Sequence, residues 1–232
     1  MTETDSVPKE QESNDPPTEP KQSPGCLPGI LAATLLMGMV FFITCGVTTW
    51  VLFGKRTEFA IRTLEGVVPE IEQSRMQTED KKEVIAQLSQ LTSRMRDTDY
   101  APAKASAVMQ RIVRIPLVQW GELDAVEAFA KAGEDEAFAE EASRHLSRVR
   151  YALKTSKVTV IDINDILAPV TEPAQSLSGH ALITPLDLDA VRDTIQRADL
   201  LADRAEIDDV AFPAIGLAEI LANEITIGES QD

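Results

Sequence analysis

The chain has 232 residues, of which 22 are Lys or Arg and 38 are Asp or Glu, so its formal net charge at pH 7 is −16. Nucleic-acid binding depends mainly on basic side chains that neutralise phosphates, so this balance excludes a general nucleic-acid-binding protein. A hydrophobic content of 44% and a charged content of 26% are typical of globular proteins and exclude disorder of the whole chain.

Residues 1–26 form an acidic, proline-rich leading segment. It carries six acidic residues against two lysines, together with five prolines and no aromatic residue. Such a segment buries too little apolar area to offset its chain entropy, which predicts a disordered tail. Pro17-Thr18-Glu19-Pro20 also matches the short motif bound by polyproline-recognition grooves, which is an alternative to a solvated spacer.

Residues 27–53 form a run of 27 residues without a charge. About 20 apolar residues suffice to cross a bilayer as a helix, so the run predicts a single transmembrane helix in contact with lipid. A cleaved signal peptide needs a basic start and a shorter apolar stretch, so the acidic leader favours a retained anchor. The segment Gly25-Cys26-Leu27-Pro28-Gly29 resembles the same region of single-span bacterial membrane proteins, which implies a bacterial cell membrane but neither a family nor a function.

Small residues and boundary residues add detail to the predicted span. Gly25, Gly29 and Ala33 recur at every fourth position, which is typical of close packing between two helices and allows a homodimer. Trp50 and the pair Lys55-Arg56 are predicted to anchor the helix at the membrane interface. Two basic residues lie within about 20 positions before the span and three after it; this slightly favours a cytoplasmic domain and leaves the side of the membrane open.

Residues 54–100 are predicted to form a helical stalk. Two apolar stripes follow helical spacing there: Ile61, Leu64, Val68 and Ile71, then Val84, Leu88, Leu91 and Met95. Pro69, with Gly66 nearby, predicts a kink or interruption in the first stripe. Each stripe lasts less than two heptads, which favours packing against the rest of the chain over a parallel coiled-coil dimer.

Residues 101–157 are predicted to form a charge-balanced helical region, since residues 55–157 contain 17 basic and 17 acidic side chains. Pro102 suits a first helical turn, and Gly133 suits a helix end. Acids over 134–141 precede bases over 144–154, an order that complements a helix dipole and allows a pair between Glu140 and Arg144.

The last part of the chain is acidic, with 3 basic and 15 acidic side chains in residues 158–232. Residues 158–184 are predicted to be an irregular connector with one short strand at 158–163, where β-branched residues alternate. Residues 185–232 are predicted to form an acidic helical region with one helix capped by Thr184 and another over 213–225. The fold class is therefore mainly α, with five to seven helices after the span and at most one short strand.

A search for catalytic and metal-binding patterns finds no recognised motif, which predicts neither an enzyme nor a cofactor. Both cysteines precede residue 54, so the later chain has no cysteine zinc site. His145 is predicted to be structural or exposed, and His180, beside Ser178, lacks the geometry of a catalytic pair. Two oxygen-rich clusters are candidate Ca²⁺ or Mg²⁺ ligands, although Asp is also common at turns and helix starts. One consists of Asp162, Asn164 and Asp165, and the other consists of Asp187, Asp189 and Asp193.

These patterns predict a single-pass membrane protein whose helical domain is a non-catalytic interaction or scaffold module. The acidic C-terminal region would attract a basic protein partner through its long-range field. The alternative is a membrane-tethered sensor or regulator that binds a small ligand or a divalent cation, and a membrane-tethered enzyme ranks third.

Overall fold

A computed structural model of the protein describes residues 27–176 and 178–230. Within these residues the chain forms nine α-helices, one 3-10 turn and a two-stranded antiparallel sheet, which confirms the mainly α fold class. The elements are α1 (Leu27–Gly54), α2 (Arg56–Gln73), α3 (Thr78–Met95), α4 (Pro102–Ile112), α5 (Trp120–Ala132), α6 (Glu136–Lys154), α7 (Val160–Leu167), a 3-10 turn (Ala168–Val170), β1 (Thr171–Pro173), β2 (His180–Leu182), α8 (Leu188–Arg204) and α9 (Leu217–Glu229). The predicted tail, its proline motif and Gly25 lie outside the described residues.

The chain divides at residue 50 into two compact units, and the first contains most of α1. In the described part of the chain, α1 is the one helix long and apolar enough to cross a membrane. Its window Ala33–Trp50 has a mean hydropathy of 1.6 and no buried residue, unlike the core helix of a soluble protein. A signal sequence near an N-terminus can pass the same test of length and hydropathy. Gly29 and Ala33 lie within this helix, and Trp50 is exposed near its end.

The second unit packs α2–α9 around one hydrophobic core. The apolar stripes of α2 and α3 face this core, where Leu64, Ile71, Leu88 and Leu91 are fully buried. Helix α2 packs on α3 and α4, α4 packs on α9, and α6 packs on both α5 and α8. The stripes are therefore covered by the chain itself, as their short length predicts.

The predicted interruption of the first stripe at Pro69 is wrong in position. Helix α2 continues through Pro69 to Gln73, and the chain breaks only before α3 begins at Thr78. Proline removes one backbone donor, but Pro69 is exposed, so water can satisfy the carbonyl that loses its partner. Burial of Leu64 and Ile71 on either side keeps the helix in place.

The predicted strand at 158–163 is also wrong, because this segment starts helix α7. Thr159 and Asp162 form a capping box, in which the Thr159 amide donates to Asp162 Oδ2 at 2.8 Å. The strands lie instead in the predicted connector, where Thr171 pairs with Leu182 and Pro173 with His180. The described part of the second unit consequently has eight helices and two short strands.

The starts of the last two helices also differ from the prediction. Asp187, and not Thr184, caps α8, since its carboxylate accepts hydrogen bonds from the amides of Asp189 and Ala190, each at 3.1 Å. Helix α9 begins at Leu217 and not at Pro213. Its cap comes from α3, because Asp80 accepts hydrogen bonds from the amides of Leu217 (2.9 Å) and Ala218 (3.0 Å).

Candidate binding cleft

A cleft of about 880 Å³ opens in the second unit between α3, α5, α6 and the segment 211–216. We name it the acidic cleft because its lining carries six acidic and three basic residues. The acids are Glu79, Asp80, Glu83, Asp124, Glu127 and Glu140, and the bases are Lys131, Arg144 and Arg150. Its apolar lining comes from Trp120, Ala139, Ala211, Phe212, Ala214 and Ile215. This volume is within the range of ligand pockets, although the lining is more highly charged than is usual for them.

Trp120 and Arg150 form the inner part of the acidic cleft. Trp120, the first residue of α5, is 2% exposed, and the guanidinium of Arg150 lies 5.6 Å from its ring centre. This distance is within the range of a cation–π contact. Arg150 also forms ion pairs with Asp124 (2.9 Å) and Glu127 (2.5 Å). The arginine is thus fixed by three groups, and its charge is balanced inside the protein.

The two carboxylates beside Arg150 respond differently to burial. Burial raises the pKa of Asp124, and the ion pair with Arg150 offsets only part of this effect. Burial also acts to raise the pKa of Glu127, but Arg150 and Lys131 together outweigh it and hold that pKa below the ordinary value. Glu127 therefore remains a carboxylate even though little of its side chain reaches solvent.

One wall of the acidic cleft is an irregular segment held in place by specific contacts. The Phe212 ring stacks on the Tyr151 ring, with ring centres 4.1 Å apart and planes at 13°. The Phe212 amide donates to Ser147 Oγ at 3.0 Å. Gly216 lets Asp80 approach closely, because a Cβ at this position would lie 2.9 Å from Asp80 Oδ1. These contacts shape the wall without a regular helix.

The rim of the acidic cleft carries the acids that solvent reaches, among them Glu79, Glu83 and Glu140. The predicted pair between Glu140 and Arg144 does not form, because Arg144 lies 3.5 Å from Asp209. The cleft thus combines a partly apolar wall and a neutralised inner ion-pair cluster with an excess of negative charge at its opening. This arrangement favours a ligand with both a cationic group and a small apolar part.

A second charged cluster surrounds Arg148. Its guanidinium is 1% exposed and pairs with Asp203 at 2.5 Å and with Asp199. His145, which is also buried, approaches Asp199 with 2.8 Å between Nδ1 and Oδ1. Within the described residues, His145, Asp199 and Asp209 are the one group of three whose ligand atoms lie within 4.8 Å of one another. A cation there would meet the positive charge of Arg148, so the cluster acts first as a structural link between α6 and α8.

The residues predicted as metal ligands have other partners in the structure. Asp187 caps α8, Asp193 pairs with Arg197 at 3.1 Å, and Asp189 is exposed in the first turn of α8. In the other cluster, Asp162 belongs to the α7 capping box, and Asn164 Oδ1 accepts a hydrogen bond from Gln119 at 3.0 Å. Binding of Ca²⁺ or Mg²⁺ by Asp187, Asp189 and Asp193 stays a prediction.

His180 has a partner that lies far from it in the sequence. His180 Nε2 lies 3.4 Å from Glu122 Oε2, and burial raises the pKa of the Glu122 carboxyl, which the neighbouring His180 lowers only in part. The Ser176 and Ser178 hydroxyls donate to the backbone carbonyl of His180, each at 2.9 Å. Ser178 therefore bonds the main chain of His180, as expected for neighbours that do not form a catalytic pair.

The sequence indicated few of these contacts. No sequence pattern distinguishes Trp120, Arg150 or Phe212, and the charge order of α6 predicts basic residues near its end but not the burial of Arg148. Lys55 lies at the start of α2 and pairs with Glu58 at 3.2 Å, and Arg56 is the first residue of that helix. The chain matches no known protein-family model, and comparison with curated proteins and with solved structures gives no significant match.

Proposed function

We propose that the protein is a single-pass membrane protein whose helical unit is a non-catalytic interaction module that binds a cationic segment of a partner protein. The observation that carries this proposal is the acidic cleft, with its apolar wall at 211–216 and its six acidic residues against three basic ones. A lysine or arginine of the partner would meet the rim acids, and a small apolar side chain would lie against Phe212 and Ile215.

The charge of the whole chain supports this choice of ligand. A net charge of −16 attracts cationic partners over distances of about one Debye length and raises their encounter rate. Inside the cleft, Arg150 is already neutralised by Asp124 and Glu127, so it does not cancel the charge of the rim. Specificity would come from the fixed aromatic lining, and attraction would come from the exposed carboxylates.

The membrane anchor in this proposal is supported by α1. Its uncharged run is long enough for a bilayer, and none of the residues in its window Ala33–Trp50 is buried. Anchoring would hold the acidic cleft near the membrane, where a partner with basic segments could be retained.

A peptide titration tests the proposal. The full chain in a neutral detergent would be titrated with a fluorescent Lys/Gly peptide that contains one Leu, and with its Glu/Gly counterpart, while anisotropy is recorded. We expect binding of the basic peptide that weakens as salt is raised. Because each exposed charge contributes about 0.5 kcal/mol, Glu83→Gln/Glu140→Gln should weaken binding about fivefold.

The matched control is Glu72→Gln/Glu172→Gln, which removes two exposed acids that do not line the cleft. Equal weakening in both double variants would mean that binding depends only on the net charge of the chain, which would contradict a binding site in the cleft. Equal affinity for the basic and acidic peptides would contradict the proposal altogether.

The second candidate function is that of a membrane-tethered sensor of a divalent cation, which would bind either at His145, Asp199 and Asp209, against the positive charge of Arg148, or at the predicted ligands Asp187, Asp189 and Asp193. A cation that binds only the folded state must raise the unfolding temperature. A thermal shift that is lost in Asp209→Asn would support this cluster, and a shift with Ca²⁺ or Mg²⁺ that is lost in Asp187→Asn/Asp189→Asn would support the predicted one. No shift with Ca²⁺, Mg²⁺ or Zn²⁺ would contradict this function.

A further inference from the structure

Helices α2 and α4 share an exposed surface that no part of the described chain covers. We name it the α2–α4 face and define it by Arg56, Phe59, Thr63 and Val67 of α2 with Met109 and Val113 of α4. Two adjoining grooves of about 370 and 410 Å³ run along it and share Thr63, Met109 and Val113. The surface is therefore continuous along both helices.

The α2–α4 face exposes apolar side chains although the opposite sides of both helices already face the core. Phe59 is 54% exposed and Val113 is 58% exposed, whereas Leu64 and Val108 are fully buried. Phe59, Thr63 and Val67 are spaced by four residues, as are Met109 and Val113, so each set forms a stripe on its helix. Exposed apolar surface of this kind marks contact with another molecule or with a membrane.

The two segments that supply this face are basic in an otherwise acidic chain. Residues 55–67 and 102–114 together carry six basic side chains and two acidic side chains, and the rest of the chain carries 16 basic and 36 acidic ones. Several of these bases are paired, since Glu224 lies 2.6 Å from Arg111 and Glu58 pairs with Lys55 and Arg62, but the two segments remain far less acidic than the rest of the chain. An anionic surface would attract these segments and repel the remainder of the unit.

The short chain segment between α1 and the α2–α4 face limits the distance between the end of α1 and Phe59. Phe59 lies five residues after Gly54, the last residue of α1, so the two are at most about 18 Å apart even in an extended chain. The headgroup layer adds about 5 to 8 Å on each side of the hydrocarbon core. If α1 crosses the membrane and ends at the headgroup layer, Phe59 lies no more than about 18 Å from that layer.

We propose that the α2–α4 face lies on the anionic headgroup layer of the membrane that α1 crosses. Phe59 and Val113 enter the interface, and Arg56 and Arg62 lie near lipid phosphates, as on amphipathic helices that bind membrane surfaces. This inference rests on the proposed anchoring by α1 and goes beyond it, because an anchor alone does not require the folded unit to contact lipid.

Fluorescent reporters on the full chain test the contact. Cys26→Ser/Cys45→Ser removes both native cysteines. Single cysteines are then introduced as Ile43→Cys in the predicted span, Val113→Cys on the α2–α4 face, and Leu200→Cys on α8, which is 60% exposed and matches Val113. Each is labelled with a polarity-sensitive fluorophore, and the protein is reconstituted into nanodiscs of phosphatidylcholine, with or without an equal part of phosphatidylglycerol. Quenching by brominated lipid is then measured.

We expect quenching at position 43 in both kinds of disc, quenching at position 113 that at least doubles with phosphatidylglycerol, and none at position 200. Arg62→Gln should reduce the gain at position 113. Quenching at position 43 without any at position 113 would overturn the contact and leave the anchor intact, whereas no quenching at position 43 would overturn the anchor itself. A signal at position 113 that follows the number of chains per disc, and not the lipid charge, would assign the face to a second copy and overturn the proposal.

Discussion

At the scale of single residues, Arg148 joins three parts of the second unit. It projects from α6, pairs with Asp199 and Asp203 of α8, and donates to the backbone carbonyls of Ile207 (2.7 Å) and Asp208 (3.1 Å). Burial acts to lower the pKa of Arg148, but the hydrogen bond and ion pair with Asp203, together with the other carboxylates, outweigh it and raise that pKa. A single cation thus fixes the turn that follows α8.

Replacing Arg148 should destabilise the fold. In Arg148→Met the buried Ile207 carbonyl and the partly buried Asp208 carbonyl lose their donor, and the carboxylates lose their counter-ion, which we expect to lower the free energy of unfolding by about 2 to 4 kcal/mol. The loss of stability should lie near the lower end of this range. The side chains of Asp203 and Asp209 are 61% and 58% exposed, so water solvates their carboxylates when the arginine is absent. Urea denaturation of the full chain in detergent measures it.

Arg144→Met is the matched control on the same helix. Its side chain is 40% exposed and lies 3.5 Å from Asp209, so its loss should change the free energy of unfolding by less than about 1 kcal/mol. Equal losses in the two variants would contradict the linking role of Arg148.

Tyr100 provides a test that depends on pH. Burial and the Glu229 carboxylate, which accepts the phenol hydrogen bond at 3.1 Å, raise the pKa of Tyr100 to about 12. An unfolded tyrosine has a pKa of about 10, so this group stabilises the folded state fully below pH 10, and the contribution is lost as pH rises from 10 to about 12. Ultraviolet titration of tyrosinate should show a step near 12 that Tyr100→Phe removes and Tyr151→Phe retains. A single step near pH 10 in the unmodified chain would contradict the buried contact.

At the scale of elements, the closest helix contact described is that of α9 with α4 at Gly228. A Cβ on Gly228 would lie 2.7 Å from the Cα of Val108 and 2.8 Å from its Cγ2. Such distances leave no room for a methyl group without a backbone shift. By contrast, a Cβ on Gly66 in α2 would meet no heavy atom within 4 Å.

The same substitution should therefore have opposite effects in these two helices. Gly228→Ala should lower the free energy of unfolding by about 1 to 3 kcal/mol, because α4 and α9 must separate. Gly66→Ala should raise it by about 0.5 to 1 kcal/mol, since alanine loses less backbone entropy in a helix. Thermal unfolding of both variants measures the difference, and stabilisation by both would show that α9 does not pack this tightly on α4.

The element boundaries that local residues determine were predictable from the sequence. Pro102 starts α4 and Gly133 ends α5, as their backbone properties require. The β-branched residues of 158–163 predict a strand, but the short capping box of Thr159 and Asp162 starts a helix there. The start of α9 could not be predicted, since its cap, Asp80, lies 137 residues earlier in the chain.

At the scale of the whole molecule, the acidic cleft illustrates why sites are harder to predict than elements. Its lining comes from four separate parts of the chain, and the pair of Arg150 with Asp124 spans 26 residues. Periodicity indicates which face of a helix is buried but not which helix covers it. The long apolar helix α1, by contrast, is predictable because it depends on one continuous run of uncharged residues.

Disrupting that run tests membrane anchoring. Met37→Arg/Val40→Arg places two charges in the middle of α1, each of which opposes insertion by about 2.5 to 3.5 kcal/mol. We expect the unmodified chain to stay in the membrane pellet after alkaline washing and this variant to appear in the soluble fraction. Ile161→Arg/Leu200→Arg, which changes two exposed apolar residues of the second unit, should stay in the pellet. A soluble unmodified chain would contradict the anchor.

Thiol labelling of intact cells tests the side of the membrane on which the second unit lies. In Cys26→Ser/Ser230→Cys the introduced cysteine is the one thiol outside the predicted span. The slight excess of basic residues after the span predicts labelling by a membrane-impermeant thiol reagent only after lysis. Labelling in intact cells would contradict this orientation and direct the search for partners to the outside of the cell.

The cap that α3 provides for α9 also has a consequence for biosynthesis. Leu88 and Val108 lie in a core that α9 helps to close, and α9 leaves the ribosome after every other described helix. Until then the emerging chain exposes its early apolar faces. Proteases and chaperones would meet it in that interval, so a chain that stops before Leu217 should be degraded rather than accumulate as a partly active fragment.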